Sequence, residues 1–182
     1  IQMADVKEAR QTLSNIAKHF RIVCVVSQIC LDERIPHFPL EEVLSLRAMK
    51  EIQELADVEE IHVHMARELA GHLRHLSPTK AIRAIRAALA VIGRELGLSP
   101  DGRDMVGLVL HLCCLLDRLL SGEKTSSGQG ATIECGHENE TLYRVVKEGL
   151  FPLEQRYGVC IGEDELCHIV RFFRSLQGKQ DT

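Results

Sequence analysis

One histidine stands inside an apolar helical run, Val106-Gly-Leu-Val-Leu-His111-Leu-Cys-Cys-Leu-Leu-Asp-Arg118-Leu-Leu-Ser-Gly122. A neutral imidazole keeps a lone pair on one ring nitrogen near neutral pH, so it can accept a phosphoryl group. The product gains roughly −1.5 to −2 charges. A charge of that size at the rim of a helix bundle biases how the bundle packs. Successive helical residues advance by about 100°. With Leu108, Leu112, Leu115 and Leu119 on the core face, His111 falls roughly 80–100° to one side, at the border of core and solvent. Gly107, one turn earlier on that flank, offers no side chain, so a partner protein can approach the ring. Arg118 shares the flank but lies about 10 Å further along the axis, too far to bond His111 directly. A phosphate clamp there needs another helix or another subunit. A second stretch, Glu163-Asp-Glu-Leu-Cys-His168-Ile-Val-Arg-Phe-Phe173, holds a further histidine.

Other chemistries fit less well. On the residues alone, the favoured reading of a lone helical histidine such as His111 is structural, filling a polar niche by hydrogen-bonding a neighbouring helix, and the phosphoryl reading stays open beside it. His62, His64, His72 and His75 fall in one predicted helix, where His72 and His75, three apart, share a face and could touch one ion. No cysteine or carboxylate pattern completes such a site and no HExxH occurs, so no metal ligand is assigned. Cys113 and Cys114 beside His111 make a poor nucleophilic dyad, because neighbours on a helix point about 100° apart.

The elements that carry these residues follow from periodicity. Residues 4–20 predict an amphipathic helix through Val6, Ala9, Leu13, Ile16 and Phe20. Residues 21–26 predict a short buried strand, Pro36 and Pro39 break the chain, and Leu40–Leu44 resumes as a helical turn. This front part reads as the trailing edge of another domain, or as a strand that pairs with a partner. From Asp57 the pattern becomes helix after helix. The first carries the stripe Val63, Ala66, Leu69, Ala70, Leu73 and Leu76. A second opens at Ser77-Pro78 and ends at Gly97. The third opens at Ser99-Pro100 and stops at Gly122. Residues 123–137 predict a polar, glycine-rich loop. A fourth helix runs from Asn139 through Leu153, kinked at Pro152 and ended by Gly158. The fifth starts near Glu163, where an acidic first turn suits the helix dipole, and buries Leu166, Ile169, Val170, Phe173 and Leu176. The expected fold is all-α, a five-helix bundle over residues 57–178, preceded by a short α/β segment over residues 1–56.

Composition is compatible with this. The chain has 182 residues, 45% hydrophobic but only 4% aromatic with no Trp, so its core must be aliphatic. A net charge of −4 sets up no field for nucleic acid or anionic lipid, and neither partner is expected. Arg83, Arg86 and Arg94 read as the wet side of a helix. Seven cysteines, an odd number with no CxxC, suit a reducing cytoplasm better than a disulfide scaffold. No run reaches the roughly 18 apolar residues of a spanning helix, and no export signal is apparent.

Four pieces, in order, resemble a PTS regulation domain (PRD), the histidine-phosphorylated module of regulators controlled by the sugar phosphotransferase system. Leu73-Arg-His-Leu76-Ser-Pro through Glu95-Leu-Gly97 resembles its opening helix pair. Val106 to His111-Leu, continuing to Asp117-Arg118-Leu, resembles the signature around the phosphorylatable histidine. Leu150-Phe-Pro-Leu-Glu154-Gln-Arg-Tyr-Gly158 resembles the helix that ends in an aromatic-glycine turn. Asp164-Glu165-Leu-Cys-His168 through Phe173 resembles the closing helix. The resemblance is to the version in sigma-54-dependent activators of the LevR/ManR type. The segment from Ile22 to Leu44 resembles the strand and linker that precede the domain there, although Ser27-Gln28 replaces the family's Gly-Thr.

The resemblance implies phosphorylation of His111, with Gly107 and Arg118 as neighbours of the phosphate. Many members carry a second histidine one turn beyond the position of His168. Phe172 occupies that place here, so the resemblance implies a packing role for His168 ahead of phosphorylation. It also implies phosphorylated HPr or an enzyme IIB as donor, a homodimer, further domains of a full-length activator, no cofactor and no enzymatic activity of the domain itself. Two alternatives remain at this point. One is a helical dimerisation module without phosphoryl chemistry, and the other is a metal-dependent helical enzyme.

Overall fold

A computed structural model describes residues 6–98, 103–123 and 140–180. The chain forms two compact units, residues 1–60 and 61–182. Among the described residues there are seven α-helices and two very short strands. No described helix is long and apolar enough to cross a membrane.

In the first unit α1 (Val6–Ala17) is followed by β1 (Val25–Val26), β2 (His37–Phe38), α2 (Leu40–Leu44) and the start of α3 (Met49–Leu69). The strand is shorter than its β-rich sequence predicts and pairs in parallel with a segment expected only to be broken by proline. Val25 faces His37 and Val26 faces Phe38. Pro36 and Pro39 flank β2 instead of interrupting it. A proline lacks an N–H but keeps its carbonyl, and Val25 donates to the Pro36 carbonyl at 2.8 Å. The His37 ring holds the loop after β1 through Ser27, with Nε2 2.9 Å from the carbonyl oxygen.

The second unit is the expected all-α bundle: the C-terminal part of α3, then α4 (Pro78–Glu95), α5 (Asp104–Leu120), α6 (Glu140–Tyr157) and α7 (Glu163–Gln180). Pro78 starts α4 with a fixed φ suited to a first helical position. Its apolar positions at three- and four-residue spacing, Ala81, Ile82, Ile85, Ala88, Leu89 and Ile92, are all buried. Gly97 ends it at φ +67°, where a side chain would be strained. Leu98 then donates to the Gly93 carbonyl at 2.8 Å and tucks its side chain into the core. Gly122 ends α5 in the same way at φ +83°. α6 passes through Pro152 and continues to Tyr157. At its middle, Gly149 lets the backbone approach α4 closely, since an added Cβ would sit 2.2 Å from Ile92 Cγ1. Leu112, Leu115, Leu116, Val146, Leu150 and Ile169 complete a mainly aliphatic centre, with Phe173 as its aromatic member.

Two expectations fail in α3. It begins at Met49, well before Asp57, and ends at Leu69 instead of running to Leu76. Of the expected stripe, Ala66, Leu69, Leu73 and Leu76 meet the core, while Val63 and Ala70 are exposed. Met65 also meets the core. Past that end, the backbone N–H groups of Arg74 and His75 leave the helical ladder and donate to the Asp117 carboxylate at 3.1 and 2.7 Å. The helix start expected at Ser99-Pro100 and nearly all of the loop expected at 123–137 lie outside the described residues.

Candidate functional site

α5 places His111 where its periodicity predicts. Leu108, Leu112, Leu115 and Leu116 are buried beneath it, while the His111 side chain is 43% exposed. The first turn of α7 supplies the ring's polar neighbour. Leu166, Cys167, Ile169 and Val170 anchor that turn in the core. Glu165, one residue before Leu166, is thereby pressed into the seam with only 14% of its side chain exposed. His111 Nε2 lies 3.0 Å from Glu165 Oε2. Arg118 Nη2 donates to the other oxygen, Oε1, at 3.2 Å. Helical side chains lean toward the N-terminus, so Arg118 reaches back along the axis to the same carboxylate that His111 meets. One carboxylate therefore joins two residues of α5 that are too far apart to meet directly.

This arrangement was only half foreseeable. The need for another helix follows from the distance between His111 and Arg118. That the helix brings a carboxylate, and that Arg118 is engaged by it, does not. Glu165 had one visible signal: it is an acidic residue immediately before a buried leucine, at the rim of a core face. Asp117 was likewise unassigned, and its carboxylate fixes the segment before α4. Gly107 is exposed, and apart from its chain neighbours and the helix's own backbone no heavy atom among the described residues lies within 4 Å of where a Cβ would stand. The flank beside the imidazole is open.

His168 is exposed rather than packed, which corrects the packing role expected of it. The preceding turn already commits Leu166 and Cys167 inward, and the aromatic filling falls to Phe173. Phe172 packs edge-on to Phe173, with ring centroids 5.9 Å apart. Near the start of α7, Tyr143 donates to Glu163, and Lys147 reaches the same carboxylate at 3.5 Å. These contacts tie α6 to α7 and steady the turn that bears Glu165.

The histidine-rich segment does not assemble as the sequence suggests. α3 ends before His72 and His75, so the helical face expected to bring those two residues together is not formed. Among the described residues no three His, Cys, Asp or Glu side chains converge to hold a metal ion. Cys113 is fully buried. Burial, with a lesser contribution from Cys114, pushes its thiol up to about 12, so it is protonated and inert at neutral pH.

The family model of the PRD domain matches residues 86–176. That span holds His111, Arg118, Glu165 and His168. No curated protein and no solved structure matches the chain.

Proposed function

We propose, from the premise that this chain belongs to the PRD domain family, that its helical unit is a phosphorylation-responsive switch whose acceptor is His111. As a PRD it is a regulatory domain controlled by the phosphotransferase system. The finer reading is that a phosphorylated HPr or enzyme IIB docks on the flank of Gly107, that His111 takes the phosphoryl group, and that the added charge controls assembly of a sigma-54-dependent activator. The observation that supports this most is the imidazole at the rim of a buried aliphatic face, half exposed and held by Glu165 from a second helix. An ordinary core histidine would be covered, and a wholly solvated one would have no helix seam to act on.

The energetics are adequate. With His111 Nε2 3.0 Å from Glu165, a phosphoryl group on the other ring nitrogen places negative charge on the order of 6 Å from that carboxylate, a separation at which unit charges interact appreciably. At an effective dielectric between water and a protein surface, that repulsion is about 1–3 kcal/mol per unit charge. Arg118, bound to the same carboxylate, is the nearby cation that can exchange Glu165 for the phosphate. A bias of about 1–3 kcal/mol moves a two-state equilibrium by roughly 5- to 150-fold. The test is sedimentation velocity of the chain before and after exposure to each phosphorylated donor. The association equilibrium should move within that range in the wild type and stay put in His111→Ala. An equal movement in His111→Ala would overturn the assignment. Donor-independent assembly would favour a plain dimerisation module.

A further inference from the structure

The two hydrogen bonds to Glu165 also determine which ring nitrogen of His111 is available. A carboxylate offers acceptors only. Its Oε1 receives Arg118, and its Oε2 faces His111 Nε2 at 3.0 Å. That nitrogen must bring the hydrogen. A neutral imidazole carries one N–H, so with Nε2 protonated the lone pair is on Nδ1. The tautomer is held from both sides. Arg118 engages the far oxygen of the carboxylate, and the buried Leu166, Cys167 and Ile169 fix the turn that presents it.

We infer that Nδ1 of His111 is the phosphoryl-accepting atom and that Glu165 is the positioning residue that selects it. This rests on the reading of His111 as the acceptor and adds its regiochemistry. The Nδ1 lone pair attacks phosphorus on the donor's phosphohistidine or phosphocysteine. The donor's P–N or P–S bond breaks, and its electron pair returns to the donor's nitrogen or sulfur. No proton has to move on His111. Its Nε2–H stays on Glu165 throughout, and the positive charge that develops on the ring faces that carboxylate. Transfer to Nε2 instead would require breaking the Glu165 contact and moving the proton to Nδ1 before attack. The open space over Gly107 leaves the flank clear for a donor.

The test uses histidine-15N-labelled protein and two-bond 1H–15N correlation spectra, taken before and after incubation with phosphorylated HPr and with a phosphorylated enzyme IIB. Before incubation, His111 should show the Nε2–H tautomer, and an Nδ1–H signature would overturn the inference without any donor chemistry. After incubation, the phosphoryl group should be on Nδ1. A phosphoryl group on Nε2 would overturn the regiochemistry while leaving His111 as acceptor, whereas no phosphoryl group from either donor would overturn both. In Glu165→Ala, the tautomers should mix, both phosphohistidine isomers should appear, and transfer should slow by about 10- to 100-fold, the size of effect seen when the partner that orients a metal-bound histidine is removed. Glu165→Gln, whose amide oxygen can still accept from Nε2, should restore Nδ1 as the main product. Unchanged isomer purity in Glu165→Ala would remove Glu165 from the role.

Discussion

Replacing Gly149 with Ala tests the packing that holds the bundle together. A Cβ at this position would lie 2.2 Å from Ile92 Cγ1 and 2.9 Å from Cδ1. Real Cβ atoms do not approach carbon so closely, and Ile92 is fully buried. The isoleucine must leave its rotamer or α4 and α6 must move apart. Overpacking of this kind costs about 1–3 kcal/mol. Elsewhere in a helix interior the same change would stabilise by about 1 kcal/mol. Ile92→Ala removes both clashing atoms at its own cost of about 2–5 kcal/mol. In that background Gly149→Ala should turn neutral or stabilising. The cycle should therefore show a coupling of about 1–4 kcal/mol between the two sites. Urea denaturation of the four proteins measures it. Near-additivity, or a stabilised Gly149→Ala single variant, would refute the close approach of α4 to α6.

The remaining predictions concern the site and its supports. Gly107→Ala meets open space, so it should stabilise by about 0.5–1 kcal/mol by thermal denaturation, yet slow donor-dependent phosphorylation because it narrows the flank beside His111. Asp117→Ala leaves the Arg74 and His75 amides without their acceptor. It should cost about 1–3 kcal/mol and speed hydrogen exchange at those two amides. Cys113 should resist alkylation in the native protein at pH 8, where the exposed Cys114 reacts, as read by peptide mass spectrometry. Because the Cys113 thiol is raised from 9.0 to about 12, the unfolded chain ionises it first. Stability should fall as pH climbs through that interval, and Cys113→Ala should flatten the slope.

Local signals made α4 and α5 legible. Ser77-Pro78 opens one, Gly97 and Gly122 close the two, and the aliphatic residues between them repeat every three or four positions. The same 100° arithmetic placed His111 at the rim, because a side chain's direction on a helix follows from its neighbours. What stayed hidden depends on partners remote in sequence. The segment after α3 leaves the helix with the N–H groups of Arg74 and His75 held by Asp117, more than forty residues on. The β1–β2 pair needed Pro36 to act through its carbonyl, which no propensity reports. Glu165 read as one of three acids suited to a helix dipole. Its actual partners lie 54 and 47 residues earlier on α5. His168 came out exposed because the residues around it had already filled the core.

The central claim is that His111 alone receives the phosphoryl group. Intact-mass spectrometry under alkaline conditions tests it most directly, since phosphohistidine is lost in acid. Wild type, His111→Ala and His168→Ala would each be incubated with a phosphorylated donor. A single phosphoryl group is expected on the wild type and on His168→Ala, and none on His111→Ala. A phosphoryl group retained by His111→Ala, or lost in His168→Ala, would contradict it.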